Sequence, residues 1–210
     1  MRLLGPSDFR RMPWKNGAGS TTQIAIAPFD ATVDDFDWRV STAQVAASGT
    51  FSTFAGVDRT LAILRGGPLK LVVQSPDGPQ QHVLDVGSAP YRFAGEWPVQ
   101  ADVLGADEAV DFNVMTRRDR FDHVLQTKDI CGVMRVAGAI LLVYCVHGAV
   151  KCRNATDRLC SPLSLVGGEA LLALARPGVP DSVHLQLETA ISAPARICVV
   201  NLFKTVATHA

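Results

Sequence analysis

The sequence predicts an all-β protein with very little helix, built from two similar halves. Short runs rich in Val, Ile, Leu and Thr recur along the chain, separated by Gly, Pro, Asp and Asn. Their spacing of about 8–12 residues is typical of antiparallel sandwiches and barrels. The order of strand and turn signals after Leu61 also recurs after Leu141, at an offset of roughly eighty residues, which indicates a duplicated small barrel rather than a solenoid.

The predicted strands follow one another with short turn signals between them. In the first half they are TTQIAIAP, FDWRVSTAQV, TLAILRG, LKLVVQ, HVLDV, VQADVL and AVDFNVM. In the second half they are GAILLVYCV, LSLV, ALLALA, SVHLQLE and RICVVNLF. One helical turn is predicted at PSDFRRM, with Ser7 or Asp8 as its N-cap and Pro13 at its end.

The clearest repeated segment is a strand, a glycine-centred turn and a second strand. It occurs as LAILRGGPLKLVVQ and again as LLVYCVHGAVKCR, and we expect a hairpin at each. In the second, a turn at Gly148 and Ala149 would place Cys145 opposite Cys152 on neighbouring strands. The polar segment DRFDHVLQTK has no counterpart, so we expect an N-terminal barrel at 1–120 and a C-terminal barrel at 121–210, packed as one compact unit.

Composition excludes several classes of partner and compartment. The 20 basic and 20 acidic residues cancel, and no run of five like charges occurs, so we expect no nucleic-acid or membrane partner. The N-terminus lacks the apolar run of a secretory signal, and no stretch approaches the roughly 20 apolar residues of a membrane span. We therefore expect a cytoplasmic protein. Its five cysteines contain no C-x-x-C pair and are predicted to be reduced thiols in apolar strands.

Motifs for metal binding and nucleophilic catalysis are missing from the sequence. The chain has no H-x-H pair, and its histidines are scattered at His82, His123, His147 and His184. It has no G-x-S-x-G elbow, and GAGS lacks the G-K-[ST] ending of a phosphate loop. We accordingly predict no bound metal, no cofactor and no catalytic residue.

One predicted strand, FDWRVSTAQV, carries a charge where a core strand is normally apolar. Alternation puts Arg39, Ser41 and Ala43 on one face and the bulky apolar residues on the other. A buried arginine is costly unless it is paired, and its guanidinium binds carboxylates in bidentate fashion. Arg39 therefore contacts a carboxylate ligand, or else it forms an internal ion pair with an aspartate such as Asp37 or Asp58.

Two more polar residues on predicted strands are candidates. In VDFNVMTRR, Asn113 shares a face with Met115 and Arg117, and a buried amide needs hydrogen-bond partners. Its role is either to contact a ligand or to tie down a neighbouring loop. Arg59 enters the strand that follows GTFSTFAG, beside Asp58.

Five segments in order resemble the motifs of the HutD/Ves family. They are PWKNGAGST, FDWRVSTAQV, GTFSTFAGVDRTLAIL, YRFAGEWPV and DFNVMTRR, and they cover residues 14–118 densely. The second half matches mainly in layout, and Ala18 stands where glycine is frequent in the family. The resemblance implies a bicupin fold of two cupin-like antiparallel barrels of the RmlC-like jelly-roll type. It also implies a bacterial cytoplasmic protein associated with histidine utilisation in one branch and with stress or cold response in the other.

The resemblance also implies where a ligand would bind. Carried over to this chain, the ligand-binding candidates are Lys15, Asn16, Arg39, Ser41, Arg59 and Asn113. The arginines would clamp a carboxylate, Ser41 and Asn113 would donate or accept neutral hydrogen bonds, and the loop WKNGAGST would cover the mouth of the first barrel. In that loop Trp14 would act as anchor, with Gly17 and Gly19 permitting the turn. The alternative is a plain tight turn at Asn16-Gly17 with a solvated Lys15.

The function expected from this resemblance is binding without catalysis. The ligand would be a small carboxylate such as N-formylglutamate, and its binding would modulate histidine utilisation. One alternative is a metal-independent isomerase or hydrolase that uses Lys15 or His82 as general base. Another is a stress-response interaction module whose arginines form internal salt bridges. Whether the protein forms a homodimer stays open.

Overall fold

The protein is almost entirely β-structure, as the sequence predicts. The computed structural model describes residues 1–14, 17, 19–156, 161–175 and 182–205, and within these ranges the only helical element is a 3-10 turn at Pro6–Asp8. In chain order the strands are β1 Arg2–Leu4, β2 Arg10–Pro13, β3 Gly19–Ala27, β4 Trp38–Val45, β5 Gly49–Thr50, β6 Val57–Gly66, β7 Leu69–Ser75, β8 Gly78–Leu84, β9 Tyr91–Ala94, β10 Val99–Val103, β11 Ala109–Arg117, β12 Phe121–Ile130, β13 Val133–Gly138, β14 Ile140–His147, β15 Ala149–Asn154, β16 Leu163–Val166, β17 Ala170–Leu174, β18 Val183–Glu188 and β19 Ala195–Lys204.

The chain divides into two units, each made of two antiparallel sheets. The first unit comprises Phe9–Asp122 and Thr205. Its larger sheet has the strand order β2-β3-β4-β11-β6-β9, and its smaller sheet has the order β5-β10-β7-β8. Its apolar core includes Val45, Leu61 and Ile63 from the larger sheet and residues such as Leu71 from the smaller one.

The second unit comprises Met1–Asp8 and His123–Lys204. Its sheets have the orders β1-β17-β14-β19-β12 and β13-β18-β15-β16. Side chains from both sheets form its core, among them Leu141 and Val143 from β14 and Leu185 and Leu187 from β18. This is the double-sheet arrangement of a jelly roll.

The strand orders confirm the predicted duplication. Each strand of the order β4-β11-β6-β9 corresponds to the strand eight places later in β12-β19-β14-β17, and β5-β10-β7-β8 corresponds in the same way to β13-β18-β15-β16. The register agrees, because Leu61 pairs with Asn113 in the first unit and Leu141 pairs with Asn201 in the second. The remaining strands extend the larger sheets, with β2 and β3 in the first unit and β1 in the second.

The two predicted hairpins are wrong, because each glycine turn carries the chain from one sheet to the other. Strands β6 and β7 lie in different sheets, as do β14 and β15. Cys145 and Cys152 are therefore not opposite each other in a ladder, although both are buried in the same core between the sheets. A sheet-to-sheet turn and a hairpin share the same local pattern of apolar run, glycine and apolar run, so the pattern alone does not separate them.

Two other sequence predictions need correction. The predicted helical turn is limited to Pro6–Asp8, where Asp8 accepts a hydrogen bond from the Gly5 amide (2.9 Å), and the residues after Phe9 begin strand β2. The polar segment taken as unrepeated is strand β12, which corresponds to β4. It buries Phe121, His123 and Leu125 on alternate positions, and Asp122, Gln126 and Lys128 lie on the other face.

No helix long and apolar enough to cross a membrane occurs in the described part of the chain.

Candidate ligand-binding pocket

A pocket of about 620 Å³ lies in the first unit against one face of its larger sheet. Three adjacent strands, β4, β11 and β6, present polar side chains to it. Met115 of β11 pairs with Arg39 on one side and with Arg59 on the other, so the two arginines stand two strand spacings apart, about 10 Å. The lining residues include Met12, Trp14, Thr21, Val33, Arg39, Ser41, Ala43, Phe51, Phe54, Arg59, Asp111, Asn113 and Met115.

Arg39 projects from β4 into this pocket, on the face predicted by alternation. It is 6% exposed, and its Nε donates a hydrogen bond to Gln23 Oε1 at 2.9 Å. Burial lowers the pKa of Arg39 from its ordinary value. The Gln23 amide is neutral, so it orients the guanidinium without balancing its charge.

Arg59 lies at the same level of the sheet on β6, inside an aromatic enclosure. Its guanidinium carbon is 5.2 Å from the ring centre of Phe51, 5.7 Å from that of Phe54 and 5.2 Å from that of Phe93. One terminal nitrogen donates to the Ser52 carbonyl at 3.2 Å, whereas the buried Nε has no partner. Burial lowers the pKa of Arg59 to about 10, with the positive charge of Arg39 adding to the shift and Asp111 opposing it. The group thus stays cationic at neutral pH.

Asp111 is the lining residue that sequence reasoning missed. It is 2% exposed, and its Oδ1 atom has no hydrogen-bond partner. Burial raises the pKa of Asp111 to about 7, and the attraction of Arg59 and a backbone hydrogen bond from Ala43 offset only part of that effect. Strand alternation could have identified Asp111, because it is two residues from Asn113 and therefore lies on the same face of the strand.

Ser41 and Asn113 complete the polar floor between the arginines. They pair with each other across β4 and β11, and they are 1% and 8% exposed. Asn113 Oδ1 is buried without a hydrogen-bond partner. The side-chain oxygen of Asn113 therefore makes no hydrogen bond that would tie down a neighbouring loop, which was the alternative role considered for this residue.

The segment WKNGAGST, predicted to cover the pocket, begins in the connection between β2 and β3 and runs into β3. Trp14 is the first residue of that connection. The Trp14 ring lines the pocket and its Nε1 donates to Thr21 Oγ1 at 2.8 Å. Gly17 has a φ of +69°, and a Cβ on Gly19 would collide with the Gln44 carbonyl oxygen. Both glycines are thus required by the local geometry, as predicted. Two further predicted site residues, Lys15 and Asn16, lie outside the described residues.

The internal ion pairs considered for Arg39 are not formed. Asp37 pairs with Arg120 at 2.6 Å, and Asp58 pairs with Arg92 at 2.7 Å and Arg118 at 2.8 Å. Hydrogen bonds from Arg118 and Arg92 hold the pKa of Asp58 below its usual range, although its partial burial acts in the opposite direction. In the part of the chain that the structure describes, no carboxylate lies within 4.0 Å of a nitrogen of Arg39 or Arg59.

None of the histidines that the structure describes lines this pocket. His82, one predicted general base, is on β8 of the smaller sheet, where its ring centre lies 3.8 Å from that of Tyr91 with the ring planes tilted by 31°. His184 hydrogen-bonds to Ser182 Oγ at 3.0 Å, and His147 is exposed at the end of β14. Across the described ranges, no group of three His, Cys, Asp or Glu side chains is placed to hold a metal ion.

The second unit does not repeat the charged residues Asp111 and Arg59 at the corresponding positions. Because Asn201 corresponds to Asn113 in the paired registers, Val199 stands at the position of Asp111 and Ala139 at that of Arg59. Val199 belongs to the apolar core of the second unit. Of these three positions in the first unit, only the asparagine recurs in the second unit.

Comparisons with known proteins agree on one family. The sequence matches the HutD family over residues 6–190. It is 36% identical to Protein Ves of Cronobacter sakazakii over 159 residues, which are 74% of this chain and 81% of that protein. It is 32% identical over 179 residues to a 21.2 kDa protein encoded in the hutC 3' region of Pseudomonas putida, covering 83% of this chain and 91% of the relative.

Solved structures show the same fold. The conserved protein PA5104 of Pseudomonas aeruginosa PAO1 has a TM-score of 0.82 at 31% identity, covering 96% of this chain and 97% of that one. HutD from Pseudomonas fluorescens SBW25, in a formate condition, has a TM-score of 0.76 at 27% identity, covering 98% and 99%. A Cupin 2 conserved barrel domain protein from Leptotrichia buccalis shares the fold at 8% identity, with a TM-score of 0.56 and coverage of 92% and 96%. This chain therefore belongs to the HutD family, which has a cupin fold and an association with histidine utilisation.

Proposed function

We propose that the pocket of the first unit binds a small carboxylate and that the protein acts by binding rather than by catalysis. The observation that carries this proposal is the pair of guanidiniums of Arg39 and Arg59, which are both 6% exposed and line the same pocket. A buried cation is stable only when it is paired, and a bidentate carboxylate is the partner that best fits a guanidinium fork. Asp111, the acidic residue that lines the pocket, supplies at most one negative charge against the two positive charges of the arginines.

The walls of the pocket suit the body of such a ligand. Phe51, Phe54 and Met115 provide apolar surface, and Ser41 and Asn113 provide neutral hydrogen-bonding groups between the arginines. Small-molecule sites combine apolar walls with a few placed polar groups in this way, and they typically enclose about 300–1,000 Å³. The 620 Å³ found here accommodates a carboxylate of several carbons.

The biological role proposed for this binding is modulation of histidine utilisation, with an N-formylglutamate-like carboxylate as ligand. The family association with histidine utilisation supports that choice. The structure of HutD from Pseudomonas fluorescens was obtained in a formate condition, and formate is the smallest carboxylate. We propose a cytoplasmic location with no nucleic-acid or membrane partner, in keeping with the balanced charge of the chain.

A direct test is calorimetric titration of the full chain with formate, glutarate and N-formylglutamate. We expect Arg59→Gln to weaken the affinity of the best ligand at least about tenfold, because one buried cation is lost. Arg65→Gln is the matched control, since Arg65 is an exposed residue further along the same strand. The proposal would be wrong if none of the three ligands gave a binding heat and none raised the Tm of the protein at millimolar concentration.

Asp111 supports one second candidate, a metal-independent enzyme acting on a small acid. A buried carboxyl whose pKa is raised to about 7 beside two cations has the properties of a general base. Incubating the protein with each bound carboxylate and following its mass over hours separates the two candidates. Turnover that disappears in Asp111→Asn favours an enzyme, whereas an unchanged ligand favours a binding protein.

A further inference from the structure

Three polar atoms around the pocket floor are buried without a hydrogen-bond partner. They are Asp111 Oδ1, Asn113 Oδ1 and Arg59 Nε. Two of the three are acceptors, and they lie two residues apart on the same face of β11. A buried acceptor without a donor costs free energy, so a ligand that brings a donor gains more than one that brings oxygen atoms alone.

The charges that face Asp111 can be counted on each neighbouring strand. Arg39 contributes one positive charge from β4, and Arg59 contributes one from β6. Ser41 and Asn113 are neutral, and the smaller sheet adds no charged residue to the pocket lining. With Asp111 ionised, the described lining residues therefore carry one net positive charge.

We propose that Asp111 is a specificity-determining residue: while it is ionised, the pocket selects singly charged carboxylates bearing an N–H or O–H donor over dicarboxylates. A dicarboxylate such as N-formylglutamate then binds together with a proton taken up by Asp111. One ligand carboxylate neutralises the net charge, and the donor satisfies Asp111 Oδ1 or Asn113 Oδ1. A second ligand carboxylate would face the ionised Asp111 in a site with little water, where like charges repel strongly. This inference rests on the proposed function, since it assumes that the arginines bind a carboxylate.

The selection depends on pH in a definite direction. Because burial raises the pKa of Asp111 to about 7, the group is ionised at pH 8 and mostly protonated at pH 6. Protonation leaves two positive charges on the lining and turns Asp111 into a donor, which suits a second carboxylate. Dicarboxylates are therefore expected to bind more tightly as the pH falls from 8 to 6, with uptake of a proton by Asp111.

Three probes of nearly equal size separate charge from hydrogen bonding. Glutaramate is a monoanion with amide N–H donors, monomethyl glutarate is a monoanion without a donor, and glutarate is a dianion. At pH 8 the wild-type protein is expected to bind glutaramate about tenfold more tightly than either of the others. In Asp111→Asn this preference over glutarate is expected to vanish, because the repelling charge is gone.

The experiment is calorimetry of the full chain at pH 6 and pH 8, with Arg59→Gln as a second variant. Titrations in two buffers of different ionisation enthalpy count the protons taken up by the wild type, which tests the inference even if Asp111→Asn does not fold. The inference is supported if the wild type takes up a proton when it binds glutarate but not when it binds glutaramate. Binding that depends on Arg59 but ranks the three probes identically in wild type and Asp111→Asn, without proton uptake, overturns the inference and leaves the proposed function standing. Failure of all three to bind overturns both.

Discussion

At the scale of single residues, the site depends on charges that the fold removes from water. Arg39 and Arg59 keep their protons at neutral pH even though burial lowers the pKa of each. The carboxyl of Asp111 does not keep its ordinary acidity, because burial outweighs the attraction of Arg59. Stability and binding are therefore both linked to the protonation of one group.

The stability of the unliganded protein should depend on Asp111 in a known direction. Its folded pKa of about 7 lies above the ordinary value of 3.8, so the folded chain binds this proton more tightly than the unfolded chain. The contribution is fully present below the unfolded value and is lost as the pH rises through about 7. We predict that Asp111→Asn raises the Tm relative to wild type more at pH 8 than at pH 5.

Thermal unfolding of both proteins at the two pH values measures this difference. Asp77→Asn serves as the control, because Asp77 is exposed in the turn between β7 and β8 and should show no such change. A Tm difference between Asp111→Asn and wild type that is the same at pH 5 and pH 8 would mean that Asp111 titrates normally.

The cysteines allow a second prediction at this scale. Cys131 is exposed, whereas Cys145, Cys152 and Cys198 are buried. Burial raises the pKa of these three thiols to about 11, about 12 and about 12. Since the thiolate is the reactive form, iodoacetamide at pH 8 should label Cys131 well before the other three. Peptide mass mapping reads this out, and rapid labelling of Cys198 in the folded protein would contradict the described packing.

Sequence reasoning singled out four candidate residues that the structure brings together in one pocket. Alternation predicts that Arg39 and Ser41 share a face, and the motifs add Arg59 and Asn113; all four line the pocket. Asp111 was missed because its importance comes from burial between two arginines on other strands. That environment is a tertiary property that a single strand does not reveal.

At the scale of elements, close backbone approach shapes the entrance of the pocket. The β2–β3 connection packs the Trp14 ring against Gly19, which in turn lies against the Gln44 carbonyl of β4. A side chain at Gly19 would push β3 away from β4 and displace the Trp14 ring from the pocket wall.

We predict that Gly19→Ala lowers the free energy of unfolding by about 1–3 kcal/mol, the usual cost of overpacking. It should also weaken carboxylate binding, because the Trp14 ring lines the pocket. Gly49→Ala is the matched control, since a Cβ at Gly49 on β5 meets no atom within 4 Å. Urea unfolding and calorimetry of the two variants provide the comparison. Equal stability of the two would show that β3 and β4 can separate without cost.

Local sequence determined the strands better than it determined their partners. The apolar runs correspond to strands, but LAILRGGPLKLVVQ and LLVYCVHGAVKCR each supply strands to two different sheets. Whether a glycine turn closes a hairpin or crosses between sheets depends on which strands arrive later, such as β11 and β19 beside β6 and β14. The short strands β1, β2 and β5 have too few residues to show a period, so they could not be predicted.

At the scale of the whole molecule, duplication has produced two similar scaffolds with unequal interiors. The strand orders match throughout, yet Val199 and Ala139 stand where the first unit has Asp111 and Arg59. The second unit therefore has apolar residues at two positions where the first unit has charged ones. Duplication was visible in the sequence, whereas this difference emerges only when the registers are compared.

This asymmetry predicts the binding stoichiometry. We expect one carboxylate per chain, because the second unit lacks the equivalents of two of the charged groups. Calorimetry should return a single set of sites with a stoichiometry of one, and Arg59→Gln should remove or weaken all of it. Two sites per chain, with one of them unaffected by Arg59→Gln, would show that the second unit binds as well.

If Arg39 and Arg59 together hold a carboxylate, a crystal structure of the protein soaked with glutaramate, or with N-formylglutamate at pH 6, shows it most directly. We predict carboxylate density between the two guanidiniums, with the remainder of the ligand against Phe51 and Phe54 and a donor facing Asp111 or Asn113. Density for water alone at both guanidiniums, with the carboxylate absent or bound elsewhere on the chain, would contradict the account.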